Sequence, residues 1–497
     1  MPIFWGDLHN HCGISYGYGS LENALAAARG HLDFCAVTGH AMWHDMYPLQ
    51  PETEFVVGFH RRGFAKLAAQ WDRVRQVVEG ANEPGEFVTF HTYEAHSSEF
   101  GDHHILSPSL ELPLLDPAAP AALMDLLQVP AIAVPHHIAY APGYRGINWD
   151  AYATEISPVV EVYSKHGCGL RDNGPYPYLH TMGPRDGRNT AEAGLKGGHH
   201  FGFVASTDHH AGFPGSYGDG RVAVLAQAKT REAIWEALQA RRCYAVTGDK
   251  IWCQMELDGV PMGGVAPGSE RAVLSLDVSG SDRLDQVVIY QNARPWRTLA
   301  GEELCGKASA DRFKVRLEMG WGRSSDPYLW QGTARVADGA IAGVEGCFRG
   351  VSRLAPSAEL ADDLEVNALR NGILARSAGE VAWECTSFAN VSTLHPQTAS
   401  VVLEIEGDAR TELVVEANGV RLSQTLGQLC ARGIAQHTRP WASEALFLHR
   451  AVPARAYGFG QSWDLGRSEP GDTWYVEIRQ ANGQYAWLSP VLIGSAG

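Results

Sequence analysis

The opening Asp7-Leu8-His9-Asn10-His11 sets two imidazoles at i and i+2, on one side of an extended strand, where both reach a single cation. Further groups able to bind metal or move protons follow at His40, at Glu94 and His96, at His136 and His137, at Ser164 and His166, and at Asp208 and His210. Of the 21 histidines in the chain, 18 lie in residues 1–250 and three after them. Taken alone, an HxH pair is as often a buried pair satisfying backbone carbonyls as a metal site.

The elements that carry these groups change that weighting. Each group follows a short, mostly apolar run, at residues 3–8, 33–38, 87–93, 131–135, 159–163 and 201–206. Such runs read as strands buried on both faces. Amphipathic stretches predict helices between them, over 21–29 after Ser20, 55–82, 118–128, and 231–241 after Thr230. The alternation is that of βα units around a parallel sheet. In a parallel barrel the carboxyl ends of all strands open on one face, so side chains distant in sequence converge there. Six consecutive strands ending this way are hard to assign to packing.

From Tyr244 onward the texture is extended, with runs at 252–257, 272–278, 286–291, 399–405, 413–417, 474–479 and 487–492. Asp258-Gly259, Asn418-Gly419 and Asn482-Gly483 separate strand-like segments and predict hairpins. Residues 359–371 and 422–435 read as short helices or loops. The fold class expected is therefore α/β: a barrel over residues 1–255, then a β-rich, sandwich-like domain over 256–497. No repeat or low-complexity linker is visible, so the halves are expected to be packed together. Trp252, Trp321, Trp330, Trp474 and Trp487 read as sandwich core in preference to a carbohydrate platform. The segment 320–332 is the exception, a loop able to reach the barrel mouth.

The net charge of −16 is spread evenly, with 27 acids against 18 bases up to residue 250 and 29 against 22 beyond it. Without a basic block, binding to nucleic-acid phosphates is disfavoured. Nine widely spaced cysteines form no CxxC pair and fit a reducing cytoplasm. Neither a leader nor an apolar run of membrane-spanning length is visible, so a soluble cytoplasmic protein is expected.

The motifs DLHNH at Asp7–His11, LDFCAVTGH ending at His40, Glu94 in HTYEAH, the His103-His104 pair in DHHIL, His136 in AVPHH, and STDHH with Asp208 and His210 resemble the polymerase and histidinol phosphatase (PHP) superfamily. STDHHAGFPG, EVYSKHG, RRCYAVTG and WYVEIRQANGQYAWLSPV are similar to a large branch of it known only as a domain of unknown function. The resemblance implies a distorted (β/α)7 barrel with two or three metal ions at the strand ends, and phosphoester hydrolysis as the commonest activity. It implies metal ligation by His9, His11, His40, Glu94, His104 or its neighbour His103, His136, Asp208 and His210, with Glu94 bridging.

Two departures stand out. The usual TDH is here Thr38-Gly39-His40, and the segment after His11 offers only Ser15, Tyr16 and Tyr18 as polar side chains. Two divalent ions are therefore expected in preference to three, with Zn, Mn and Fe all compatible with imidazole and carboxylate donors.

The expected function is a metal-dependent hydrolase acting through a metal-bridged hydroxide on a small-molecule phosphoester. Glu94 and Asp208 would set the metal spacing and help position the nucleophile, and His166 would donate a proton to the leaving group. Lys165, Arg145, Arg171 and His44 are candidates for substrate contact; Asp45, Arg185 and Arg188 share their loops. His199 and His200 read as structural, and His31, His60 and His180 carry no assigned role. The same site can open an ester, lactone or amide. A different class is a metal-stabilised scaffold that binds a glycan or a protein. A homo-oligomer stays open.

Overall fold

The computed structural model describes all residues except 118, 180–181, 307–310, 324–325, 352–367, 391–396 and 496–497. All six runs expected to be strands contain strand. In chain order the first half comprises β1 (Ile3–Asp7), α1 (Leu21–Arg29), β2 (Phe34–Cys35), β3 (Gly39–Trp43), α2 (Glu54–Gly80), β4 (Val88–Thr89), β5 (His91–His96), β6 (His103–Ser107), α3 (Pro120–Leu126), β7 (Ile132–Pro135), β8 (Val159–Ser164), β9 (Gly167–Cys168), α4 (Ala191–Lys196), β10 (Gly202–Ala205), β11 (Arg221–Leu225), α5 (Arg231–Gln239) and β12 (Cys243–Val246).

The helices begin where the sequence places their caps. The Ser20 side chain accepts from the Asn23 N–H and that of Thr230 from the Ala233 N–H, each satisfying an amide that a helix start leaves free. Along α2, Leu67, Trp71, Val74 and Val78 recur at helical spacing and are buried in one core with Tyr93 and Ile105. At about 1.5–3 kcal/mol for each fully buried large apolar side chain, that stripe is what holds α2 over β3 and β5.

The strands of the first half are mixed in direction. β1, β2 and β4 pair in parallel, as do β3 with β5 and β8 with β10. However, β5–β6 and β6–β7 are antiparallel, and β1 pairs antiparallel with β11. The chain from His96 to His103 is too short for a helical crossover, so it returns as a hairpin-like connection. The first half is thus mixed α/β in three sheets, and the hydrogen bonding does not close a (β/α)7 ring.

Runs 33–38 and 87–93 each break, so that His40, Glu94 and His96 lie within strands instead of beyond their ends. The sheet holding β1 also takes in residues from the far end of the chain. β12 pairs antiparallel with Tyr485–Leu488, and the Ser489 hydroxyl donates to the Cys243 carbonyl while accepting from the Phe203 N–H.

After residue 250 the regular structure among the described residues is almost all strand. A six-stranded and a five-stranded sheet share a core of residues that includes Val315, Leu317, Trp330, Trp383 and Leu403. Strand Arg312–Gly320 shows the alternating burial of a sheet packed on one face. Two of the expected hairpins close on two-residue turns with both residues at positive φ: Asp258 (50°) and Gly259 (79°), and Asn418 (46°) and Gly419 (82°). Asn482-Gly483 lies in the connection between Thr473–Gln480 and Tyr485–Leu488.

Trp330, Trp474 and Trp487 are buried as expected, whereas Trp252 is 36% exposed. Trp321 meets Phe447 of the sandwich rather than the first-half cavity. Residues 422–435 hold a helix, Leu426–Ala431, and most of 359–371 lies outside the described residues. All nine cysteines are unbridged, and no described helix is long and apolar enough to cross a membrane.

Candidate metal centre

Asp7, at the end of β1, is fully buried and fastens the two segments that carry the site. It accepts from the Thr207 hydroxyl (2.6 Å), the Gly215 N–H (2.7 Å) and the His9 N–H (3.1 Å). Two backbone bonds, Asp208 N–H to His9 O and His11 N–H to His209 O, both 2.8 Å, then zip the DLHNH and STDHH segments together. Asp208 has φ of +49° and His137 of +34°, conformations costly for such residues and held by their surroundings.

Glu94 sits at the centre. Its Oε2 lies 3.4 Å from His9 Nε2, 3.2 Å from His11 Nε2 and 3.4 Å from His40 Nε2, and its Oε1 lies 3.2 Å from His136 Nε2. Around it, donor atoms of His9, His104 and His136 lie within 4.8 Å of one another, as do those of His11, His40 and His210, and of His9, His11 and Asp208. Asp208 Oδ1 is 3.1 Å from His11 Nε2.

Burial pushes His40, His104, His136 and His210 well below the ordinary imidazole value, leaving neutral rings with free lone pairs. Burial raises Glu94 and Asp208, but neighbouring imidazoles outweigh it and hold both well below the carboxylate range. For His9, burial is outweighed by the Asp208 and Glu161 carboxylates, which hold its imidazolium well above the ordinary value.

The donor set fits divalent cations on a further observation. Both ring nitrogens of His104 are buried without any hydrogen-bond partner, an arrangement costly for a polar ring unless something ligates it. Neutral imidazoles grouped with ionised carboxylates are the ligand forms of zinc, manganese and iron sites.

The far nitrogens of these rings are oriented. His9 Nδ1 meets Glu161 Oε2 at 3.2 Å, His11 Nδ1 meets the Thr38 carbonyl at 2.7 Å, and His40 Nδ1 meets Ser15 Oγ at 3.1 Å. Outer partners of this kind fix ring orientation and raise ligand basicity. Tyr16 stacks on His40 with centroids 3.7 Å apart, and its hydroxyl reaches His96 Nε2 at 3.2 Å. The sparse segment after His11 therefore positions a ligand through Ser15 and Tyr16. At Gly39 a side chain is opposed sterically: a Cβ there would lie 2.6 Å from Leu67 Cδ1.

Glu161 escaped the sequence reading. Its signal was an acid inside the otherwise apolar run 159–163. Asp102 escaped too. Fully buried, it accepts from His96 Nδ1 (2.8 Å), pairs with the Arg145 guanidinium and lies 3.3 Å from His137 Nε2.

The other expected site residues are placed unequally. His166 Nε2 lies 3.0 Å from Asp208 Oδ2, with Nδ1 3.0 Å from the Tyr140 hydroxyl. Arg145 does line the cavity, but its guanidinium is committed to Asp102 and stacks on Trp43 at 5.0 Å.

His104 and His103 alternate on β6, so His104 joins His9 and His136 while His103 points the other way, its Nδ1 3.0 Å from the Gly101 carbonyl. Lys165 reaches Asp219 at 3.5 Å and is not on the cavity wall. Arg171 is taken up by two largely buried carboxylates, Glu192 at 3.2 Å and Glu477, which need its charge. His44 is exposed, 3.6 Å from Asp116, and Asp45 braces Ser97 and the amides of residues 98 and 99. Arg185 bonds the Cys168 and Arg171 carbonyls, and Arg188 pairs with Asp186. His199 stacks on Trp149. His60 lines the cavity wall, and His180 lies outside the described residues.

A cavity of about 360 Å³ opens over the cluster. His40, Glu94, His166, Asp208 and His210 line it together with Trp43, Tyr47, Tyr144 and Met182.

No family model matches the chain. It is 26% identical over 258 residues to an uncharacterized protein of Chlamydia pneumoniae, covering 46% of this chain and 40% of that one. Uncharacterized proteins of Chlamydia muridarum and Chlamydia trachomatis are each 24% identical over 319 residues, covering 58% of this chain and 48% of theirs. The chain thus spans less than half the length of these curated relatives. Among solved structures, a two-domain protein from Bacteroides vulgatus containing a predicted PHP-like metal-dependent phosphoesterase is 15% identical, with a TM-score of 0.32 over 58% of this chain and 79% of that one. A likeness at that level carries no argument. The buried histidine, glutamate and aspartate groups are placed to hold divalent metal ions on their own geometry.

Proposed function

We propose that the protein is a metal-dependent phosphoesterase for a small molecule. The observation that carries this is Glu94, whose two oxygens face different histidine groups beneath one cavity. His9, His104 and His136 would hold one cation and His11, His40 and His210 a second, with Glu94 between them and Asp208 completing the set. We read the three surrounding sheets as a distorted (β/α)7 barrel that brings these ligands together. When bound, two such cations lower the pKa of a shared water and neutralise charge developing on a phosphoryl group.

The chain's own residues do the rest. Glu161, Thr38 and Ser15 hold three imidazoles in one orientation each, so little reorganisation accompanies reaction. His166, fixed between Asp208 and Tyr140, lies at the cavity wall where a leaving-group oxygen would sit, and is the proton donor to it. Arg145, backed by Asp102, keeps a fixed positive charge at the wall facing Glu94 at 3.8 Å. The preference for phosphoesters over esters, lactones or amides rests on the motif resemblance.

The test is a panel of phosphomonoesters, phosphodiesters, esters and lactones, run on protein reconstituted with Mn or Zn. Turnover of a phosphoester that is lost in the His9→Ala/His11→Ala double variant supports the proposal. Undiminished turnover in that variant, or hydrolysis of carbonyl substrates alone, overturns it.

A further inference from the structure

Two kinds of wall meet in the cavity. The lining carries His40, Glu94, Asp208 and His210 of the cluster, and with them Trp43, Tyr47, Tyr144 and Met182. Tyr47 and Tyr144 are 49% and 50% exposed, so neither ring belongs to a core. Large aromatic side chains exposed on a concave wall are informative in a way that scattered surface hydrophobics are not.

Tyr144 is also held in place. It precedes Arg145, whose φ of +67° is strained for a side-chain-bearing residue, and its Cβ lies so close to Gly183 that a Cβ there would approach within 2.7 Å. Arg145 is pinned by Asp102 and stacks on Trp43, tying the Tyr144 turn to the Trp43 strand. Trp43 and Tyr47 meet edge to face with ring centroids 6.1 Å apart.

We infer that the cavity selects substrates in which a planar aromatic group stands beside the reacting anion, the ring lying against Tyr47 and Tyr144 while the anion faces the cluster. This deepens the hydrolase proposal and rests on it for the identity of the reacting group. Aromatic faces favour offset or edge-on contact with another ring. The volume of about 360 Å³ sits at the small end of ligand sites, enough for one ring and an anion and too small for a polymer segment.

The experiment is calorimetric binding to the metal-loaded 497-residue chain of two matched pairs: phenylphosphonate against methylphosphonate, and benzoate against acetate. These ligands do not turn over, so binding is read apart from activity. The expected result is at least tenfold tighter binding of the phenyl member of a pair. In the Tyr47→Ala/Tyr144→Ala double variant that preference falls below threefold while affinity for the methyl member is retained. Both tyrosines are half exposed, and a melting curve checks that the variant is folded. A preference seen with benzoate but no binding of either phosphonate leaves the inference standing and removes the phosphoester proposal. Preference below threefold in both pairs, preference unchanged in the double variant, or no binding of any of the four ligands overturns it.

Discussion

Glu161→Gln isolates the outermost support of the proposed centre. Glu161 is 1% exposed, its Oε1 has no partner, and burial pushes its carboxyl up to about 7. A neutral amide keeps the shape, but it removes a carboxylate beside His9 and puts an unpaired NH2 where Oε1 stood, so the metal-free fold also loses some stability. The amide oxygen still accepts from His9 Nδ1, but the negative charge that makes the opposite nitrogen a better donor is gone. Losing an outer partner of this kind lowers metal affinity about 10–100-fold, or about 1.4–2.7 kcal/mol.

At a fixed metal concentration above Kd, stabilisation by bound metal falls by the same amount. For a cooperative unit of about 250 residues, with about 2.1 cal/mol/K of unfolding entropy per residue, that shifts Tm by about 3–5 °C. Melting curves at several metal concentrations, with and without chelator, read both quantities. The deficit of the variant relative to wild type should be larger in metal than in chelator by that margin. A deficit no larger in metal than in chelator would refute the reasoning.

Three further outcomes follow from contacts described above. Gly39→Asp puts a side chain 2.6 Å from buried Leu67 and should cost about 1–3 kcal/mol or more without adding a metal, read by denaturant melts and metal content; an unchanged midpoint counts against the steric account. Burial lowers His31 to about 3, so the unfolded chain binds a proton between about pH 6.5 and 3 that the folded chain does not. Its contribution is complete above pH 6.5 and is lost as pH falls, by up to about 1.4 kcal/mol per pH unit, so His31→Gln should flatten the acid limb of stability against pH, and an unaltered slope contradicts this. Arg171→Ala leaves Glu477 buried without its cation and should destabilise by about 3–5 kcal/mol while KM is unchanged; a raised KM at full stability would restore a substrate role to Arg171.

Much of the centre was legible because its chemistry is local in sequence. The HxH step brings two rings close together just past β1, and apolar runs mark the strands that bring His40, Glu94, His136 and Asp208 to them. Which of His103 and His104 turns inward depends on the register of β6 against β5, where Glu94 pairs with His104, and no local pattern fixes that register. Arg171 and Lys165 look like loop cations in sequence, and only folding brings Glu477 and Asp219 against them. Glu161 carried a readable signal, a charge in a buried strand, whose partner lies 152 residues away. The mixed strand directions were not legible, because apolar runs report burial and not direction, and the short connection before β6 reverses the chain.

The most direct test of the central claim is the metal content of the purified protein, measured by plasma mass spectrometry on wild type and on Glu94→Ala. Two divalent ions per chain in wild type, falling to one or none when the residue between the two histidine groups is removed, is the predicted result. Fewer than one ion per chain in wild type after reconstitution with Zn or Mn, or a content unaffected by Glu94→Ala, would contradict it.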